Sequence, residues 1–278
     1  MVLPQDGLVY CGNAKVGTSE MAEVLERRFG SAAASEEVRV SLGIVKRLRD
    51  KLEESNLPNL GGELTSQLIR SAADLNATAQ QELCGSGRVV SFTAVRNPWE
   101  RLVSAYLGKI APGASSGHAE VGAIETIRKH YNLGGAEPHV TFSQFVRWVA
   151  EQRDEGINCH WMPQSVRCGT GHGLYTIESR LESYSDDIKK LLRALNWSDS
   201  FYVGHEEHFS GTTQCLNNKH CAAAVEAQLG DKATWQNDSS SALARKLYAA
   251  AQGDDLVEVV RRRYADDCSL LGYSYELG

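Results

Sequence analysis

Residues 88–95 (RVVSFTAV) constrain the fold more than any other segment of the chain. They are rich in β-branched and aromatic residues, and the one charge, Arg88, sits at the leading end. Such a run suits a strand buried on both faces, as at the centre of a parallel sheet. A helix start comes immediately after it. Asn97 is a side-chain N-cap type, Pro98 takes the first helical position and Glu100 the third, an arrangement close to a capping box. Leu102, Val103, Tyr106 and Ile110 then form an apolar stripe. Parallel strands need a crossover between them, so this strand–helix junction predicts an α/β fold with a parallel sheet.

The remaining segments fit that class. Residues 7–13 (GLVYCGN) read as a short strand, and Met21, Val24, Leu25 and Phe29 recur at helical spacing behind it. Residues 31–87 read as helices with loops, including a solvated mixed-charge face at 46–51. Residues 141–152 read as a helix and residues 173–177 as a strand. Leu181, Tyr184, Ile188, Leu191, Leu192 and Leu195 give the strongest helical period in the chain. Leu256, Val259, Val260 and Tyr264 mark a final helix. Residues 111–140 and 204–240 show little periodicity and read as surface or acceptor-side insertions. At 278 residues the natural expectation is one domain over 1–278.

The net charge of −6 argues against a general nucleic-acid binder. No run reaches the roughly 18 apolar residues of a membrane span. Residues 1–10 lack the build of a signal peptide, so the expectation is a soluble chain or one whose targeting segment lies upstream. Seven cysteines leave at least one outside any intrachain pair. Cys159 with Cys168, and Cys215 with Cys221, are the sequence-near candidates for short disulfide loops. Neither pair has the tight spacing of a zinc knuckle. Sequons occur at Asn76, Asn196 and Asn237.

Two segments carry chemistry. Gly12, Asn13, Ala14, Lys15, Val16, Gly17, Thr18 and Ser19 join the first strand to the first helix. A helix N-terminus favours an anion, Gly17 permits close backbone approach, and Lys15, Thr18 and Ser19 supply a charge and hydroxyls. Together they suit a phosphate or sulfate, although an ordinary βα turn with a surface lysine has the same ingredients. A Walker A loop requires lysine after its second glycine, whereas Lys15 precedes Gly17, which disfavours a kinase or nucleotide triphosphatase. The second segment pairs Arg96, leaving the central strand, with Ser104 two helical turns on. An arginine at the carboxyl end of a parallel strand reaches the crevice where α/β folds bind ligands.

Lys15, Val16, Gly17, Thr18 and Ser19 resemble the 5′-phosphosulfate loop of sulfotransferases that use 3′-phosphoadenosine-5′-phosphosulfate (PAPS). Residues 95–106 (VRNPWERLVSAY) resemble their 3′-phosphate motif. The chain is most similar to the Golgi carbohydrate sulfotransferases of the HNK-1 and chondroitin/dermatan 4-O type, in which that motif reads Val-Arg-Asp-Pro-Phe-Glu-Arg-Leu-Val-Ser-Ala-Tyr. Residues 141–146 (TFSQFV) are similar to a Thr-Phe-x-x-Phe-Val stretch, and residues 159–164 (CHWMPQ) to a His-Trp-x-Pro stretch. Ala14 stands where that family usually has proline, Asn97 stands for its aspartate, and residues 204–240 match nothing in it.

The resemblance implies a P-loop-NTPase-like parallel sheet flanked by helices, the sulfotransferase fold. It implies transfer of a sulfuryl group from PAPS, as co-substrate and with no metal, to an acceptor hydroxyl, that of a carbohydrate. Lys15, with the loop N–H groups, Thr18 and Ser19, is expected to balance charge on the leaving phosphate. Arg96 and Ser104 are expected to grip the 3′-phosphate. A general base is also required. His160 is the favoured candidate, ahead of His118, His139, Glu20, Glu23 and Glu37, and a structural role for His160 is the competing reading. The alternatives are a small-molecule O-sulfotransferase on the same fold and a nucleotide-binding protein without catalysis. The implied place is the Golgi lumen if an anchor lies upstream, and the cytoplasm otherwise.

Overall fold

The computed structural model describes residues 2–3, 8–16, 20–21, 23–25, 27–28, 90–112, 120–134, 139–202, 219–251 and 253–274. In chain order the strands are β1 (Val2–Leu3), β2 (Leu8–Cys11), β3 (Val90–Val95) and β4 (Ile177–Arg180). The helices are α1 (Pro98–Ala105), running on as a π-turn over Tyr106–Ile110, α2 (Val121–His130), α3 (Phe142–Glu151), α4 (Gln164–Cys168), α5 (Tyr184–Ala194), α6 (Lys219–Leu229), α7 (Ser240–Ala250), α8 (Gly253–Arg263) and α9 (Ala265–Leu271). Residues 20–21, 23–25 and 27–28 are also helical. The chain divides into two compact units, Met1–Val95 with Arg167–His205, and Arg96–Val166 with Glu206–Gly278.

The first unit holds the sheet, in the order β1-β2-β3-β4. β2, β3 and β4 run parallel, with Cys11 opposite Thr93 and Val95 opposite Arg180, while the two-residue β1 adds antiparallel to β2. The expected α/β class with a parallel sheet is therefore present. β3 is buried from Ser91 to Val95, as its composition requires. Phe92 and Ala94 face a core of Leu8, Met21, Leu25, Ile188 and Leu192, which joins the helical residues behind β2 to α5. Ser91 and Thr93 are polar and fully buried, yet satisfied. The Thr93 hydroxyl donates to the Cys11 carbonyl at 2.9 Å, and the Ser91 Oγ meets Thr176 Oγ1 at 3.1 Å. The amphipathic stripe read at 181–195 becomes a 3-10 turn (Leu181–Ser183) and then α5.

The last strand lies later than the sequence suggests, at Ile177–Arg180 rather than 173–177. Gly171 and Gly173 adopt φ of 82° and 69°, left-handed conformations that keep the chain out of the ladder. Side-chain bonds between Thr176 and Ser91 bring it in afterwards.

The cysteine pairing also differs. Cys168 bonds to Cys11, 157 residues away, with Cα atoms 5.9 Å apart. Cys159 is a free thiol, so the expected short 159–168 loop does not form. Spacing along the chain says little about which cysteines meet once α4 has placed Cys168 at the end of β2. Cys221 is disulfide-bonded. Cys215, Cys84, Asn76 and the 31–87 region lie outside the described residues.

The second unit is helical around an aromatic core. Trp99, Tyr106, Phe142, Phe145, Trp161, Tyr248 and Tyr264 are each no more than 1% exposed. Their rings meet edge-on, as electrostatics of aromatic faces and edges favours, Phe142 with Tyr248 at 4.9 Å and Phe145 with Trp161 at 5.4 Å. Four of the polar tips donate to backbone carbonyls, among them Tyr106 Oη to Val140 at 3.0 Å and Trp99 Nε1 to Val257 at 3.3 Å. α8 packs on α3, α7 and α1.

The Asn97 side chain caps α1, accepting from the N–H groups of Trp99 and Glu100. The suggested capping box does not close, because the Glu100 carboxylate is taken by Arg96 and Ser241. A full box caps α3 instead, between Thr141 and Gln144. The region read as irregular over 111–140 contains α2, which buries only Ile127 and so shows no apolar stripe. Likewise 204–240 contains α6, and α7 is a further helix that the sequence reading does not assign. The final helix breaks at Tyr264 into α8 and α9.

The covalent link between β2 and α4 gives the first prediction. Peptide mapping without reductant is expected to recover Cys11 joined to Cys168 and no peptide joining Cys159 to Cys168. Cys168→Ser should cost about 2–5 kcal/mol in denaturant melts. Recovery of a 159–168 pair would overturn the assignment.

Candidate functional site

The candidate residues form two clusters, one in each unit. In the first, β2 ends in a tight turn through Gly12, Asn13, Ala14 and Lys15. A Cβ at Gly12 would lie 3.2 Å from the Tyr10 hydroxyl and 3.3 Å from its ring, so a larger residue there would have to displace the buried Tyr10 side chain by a few tenths of an ångström. Lys15 has φ of 69°, the left-handed conformation that costs a non-glycine residue about 1–2 kcal/mol. Such strain gathers at ligand-binding turns. A left-handed residue in a turn also aims successive N–H groups at one point, the geometry of an anion nest.

Three ties hold this turn. Asn13 is fully buried and its Nδ2 donates to the Ala94 carbonyl at 3.0 Å, near the end of β3. Arg167 Nε donates to the Gly12 carbonyl at 3.0 Å. The Cys11–Cys168 disulfide closes the base of the turn. Val16 is fully buried and pins the far side. Gly17, Thr18 and Ser19 lie outside the described residues. Behind the turn, burial pushes the Tyr10 hydroxyl well above its ordinary range, Glu20 adds to the shift, and Arg167 opposes it. Tyr10 is therefore a neutral packing phenol.

In the second cluster, Arg96 comes directly after the last residue of β3 and is 5% exposed. Its Nη2 lies 3.4 Å from Glu100 Oε2, one helical turn on, and Ser241 donates to the other Glu100 oxygen at 2.5 Å. The Arg96 backbone is held by Gln164, through an Arg96 N–H to Oε1 bond and an Nε2 to Arg96 carbonyl bond, both 2.9 Å. Ser104 is 6% exposed on α1, and its hydroxyl makes no hydrogen bond to another described residue. The left-handed lysine turn of the first cluster and the guanidinium fork and hydroxyl of the second are each donors of the kind that phosphate and sulfate esters require.

His160 belongs to the second unit. Its Nδ1 lies 2.7 Å from Asn158 Oδ1, 3.5 Å from Glu120 Oε1 and 3.8 Å from the Cys159 sulfur. Two oxygens facing Nδ1 favour the tautomer with the proton there, which makes Nε2 the basic nitrogen. The turn carrying His160 is itself fixed by Arg101. This arginine is 1% exposed and donates to the Met162 carbonyl at 2.7 Å and the Cys159 carbonyl at 3.0 Å. Of the other base candidates, His139 is exposed, Glu23 pairs with Arg27 at 3.8 Å, and His118 and Glu37 lie outside the described residues.

Sequence reasoning nominated Lys15, Arg96, Ser104 and His160 as candidates but not the residues that hold them in place. Glu100 was readable at i+4 from Arg96. Asn13, Arg167, Gln164, Glu120 and Arg101 carried no local signal for the contacts they make.

The model for the sulfotransferase family matches residues 1–274. The chain is 30% identical over 109 residues to carbohydrate sulfotransferase 14 of Mus musculus and, equally, of Homo sapiens, covering 37% of this chain and 28% of each relative. It is 29% identical over 112 residues to carbohydrate sulfotransferase 11 of Rattus norvegicus, covering 37% of the chain and 32% of that relative. The chain thus spans about a third of the length of the curated relatives it matches. No solved structure matches significantly. With a family match that runs through both clusters and nearly the whole chain, this protein belongs to the sulfotransferase family.

Proposed function

We propose that this chain transfers a sulfuryl group from PAPS to a hydroxyl of a carbohydrate, giving a sulfate ester and 3′-phosphoadenosine-5′-phosphate. The observation that carries the reading is the left-handed Lys15 turn at the end of β2, in a chain of the sulfotransferase family. The named relatives, carbohydrate sulfotransferases 14 and 11, support a carbohydrate acceptor. The Cys11–Cys168 disulfide supports an oxidising compartment, and with those relatives the Golgi lumen.

In this reading the donor supplies the sulfuryl group and a phosphate leaving group. Lys15, its neighbouring N–H groups, Thr18 and Ser19 stabilise the charge that collects on the departing 5′-phosphate. Arg96 and Ser104 hold the 3′-phosphate. His160 Nε2 takes the acceptor hydroxyl proton as the new oxygen–sulfur bond forms and the bond to the leaving phosphate oxygen breaks. Asn158 and Glu120 keep the imidazole proton on Nδ1 and stabilise the imidazolium that results.

Three experiments test the assignments. Saturating 3′-phosphoadenosine-5′-phosphate is expected to raise the melting temperature, corresponding to about 2.7 kcal/mol at one hundred times its Kd. No shift at millimolar ligand would remove PAPS as donor. Lys15→Ala should retain the fold and lower kcat by about 10²–10³-fold or more. For the base, His160→Ala should lower kcat by roughly 10²–10⁴-fold. A base works deprotonated, so any rising limb of the wild-type pH–rate profile that belongs to His160 should vanish in the variant. An unchanged limb would return His160 to a purely structural role.

A further inference from the structure

We propose that Gln164, backed by Asp267, is a positioning residue that sets Arg96 for the 3′-phosphate of the donor. The inference rests on the assignment of Arg96 to that phosphate. Gln164 lies in a stretch (CHWMPQ) whose resemblance to the family carries no assigned task for it.

Beyond Val95 the β3 ladder has ended, and the peptide groups of Arg96 need new partners. The Gln164 carboxamide supplies both: its Oε1 accepts from the Arg96 N–H at 2.9 Å and its Nε2 donates to the Arg96 carbonyl at 2.9 Å. This is the two-point pattern of a neighbouring strand, made by one side chain. It also dictates the amide orientation, because the N–H needs an acceptor and the carbonyl a donor.

Gln164 has no freedom of its own. It is fully buried, as is Asp267. Asp267 Oδ2 accepts from the Gln164 backbone N–H at 2.8 Å and from its Nε2 at 3.3 Å. Asp267 Oδ1 accepts from the Ser165 N–H at 2.8 Å and hydroxyl at 2.6 Å. Four donors converge on one buried carboxylate, and such charge-assisted bonds are the strong ones. The chain of contacts therefore runs from Asp267 in α9, through Gln164 in α4, to the backbone of Arg96.

The consequence is preorganisation. A long arginine side chain finds an anion well only if its backbone direction and its guanidinium are both set beforehand. Glu100 and Ser241 hold the guanidinium end, and Gln164 and Asp267 hold the backbone end. The expected signature is specific to the phosphate that Arg96 meets. Losing the clamp weakens ligands that carry a 3′-phosphate and spares those that lack one.

The test compares 3′-phosphoadenosine-5′-phosphate with adenosine 5′-phosphate by calorimetry on the wild type, Arg96→Ala, Gln164→Met and Asp267→Asn. Gln164→Met keeps the side-chain length and removes both bonds to Arg96. It is expected to weaken the bisphosphate by roughly tenfold while leaving the monophosphate unchanged, so that the ratio of the two affinities falls. Equal weakening of both ligands would mean a structural role and overturn the proposal. Loss of the ratio in Arg96→Ala but not in Gln164→Met would also overturn it, with the Arg96 reading intact. An unchanged ratio in Arg96→Ala would instead remove Arg96 from the 3′-phosphate, and the proposal with it. Should Gln164→Met fail to fold, the near-isosteric Asp267→Asn is read by the same ratio.

Discussion

The parallel ladder through β3 is the constraint on which the candidate site depends. A strand paired in parallel on both sides must send its chain away at its carboxyl end before any partner can form. β3 does so at Arg96, and β2, in register with it, does so at the Gly12–Lys15 turn. The ladder also explains the composition of the strand. Phe92 and Ala94 serve the apolar core, while Ser91 and Thr93 are buried on the other face and satisfied by Thr176 and Cys11.

Beyond each strand end the chain is held by side chains reaching back to backbone groups that the ladder no longer serves. Asn13 donates to Ala94, Arg167 to Gly12, and Gln164 brackets Arg96. A buried peptide group without a partner costs much of what a hydrogen bond is worth, so these contacts are required for the chain to leave the sheet at all. They also remove freedom from the candidate residues Lys15 and Arg96. Stability and preorganisation come from the same bonds here.

Local chemistry made the two clusters legible. The β-branched run before Arg96, the Asn97–Pro98 helix start and the turn that carries Lys15 each act within a few residues, and each appears as that reasoning expects. Readings that depended on distant neighbours fared differently. Cys159 and Cys168 are close in sequence, yet Cys168 bonds to Cys11. Residues 173–177 have strand composition, yet left-handed glycines delay the strand to Ile177. α2 buries one apolar residue and so shows no period that a one-dimensional reading finds, whereas α7, which the sequence reading does not assign, buries Leu243, Ala244, Leu247 and Tyr248 on one face.

By itself the sequence determined the α/β class and the two strand-to-helix junctions, and it nominated Lys15, Arg96, Ser104 and His160 as candidates. Those come from burial period, capping chemistry and motif spacing, which are properties of neighbouring residues. Only the tertiary structure decided which groups support them. Asp267 meets Gln164 across 103 residues, Gln164 meets Arg96 across 68, and Ser241 meets Glu100 across 141. Such polar partners are selected by direction and distance at closest approach, and the order of residues along a chain does not encode either until the core has packed.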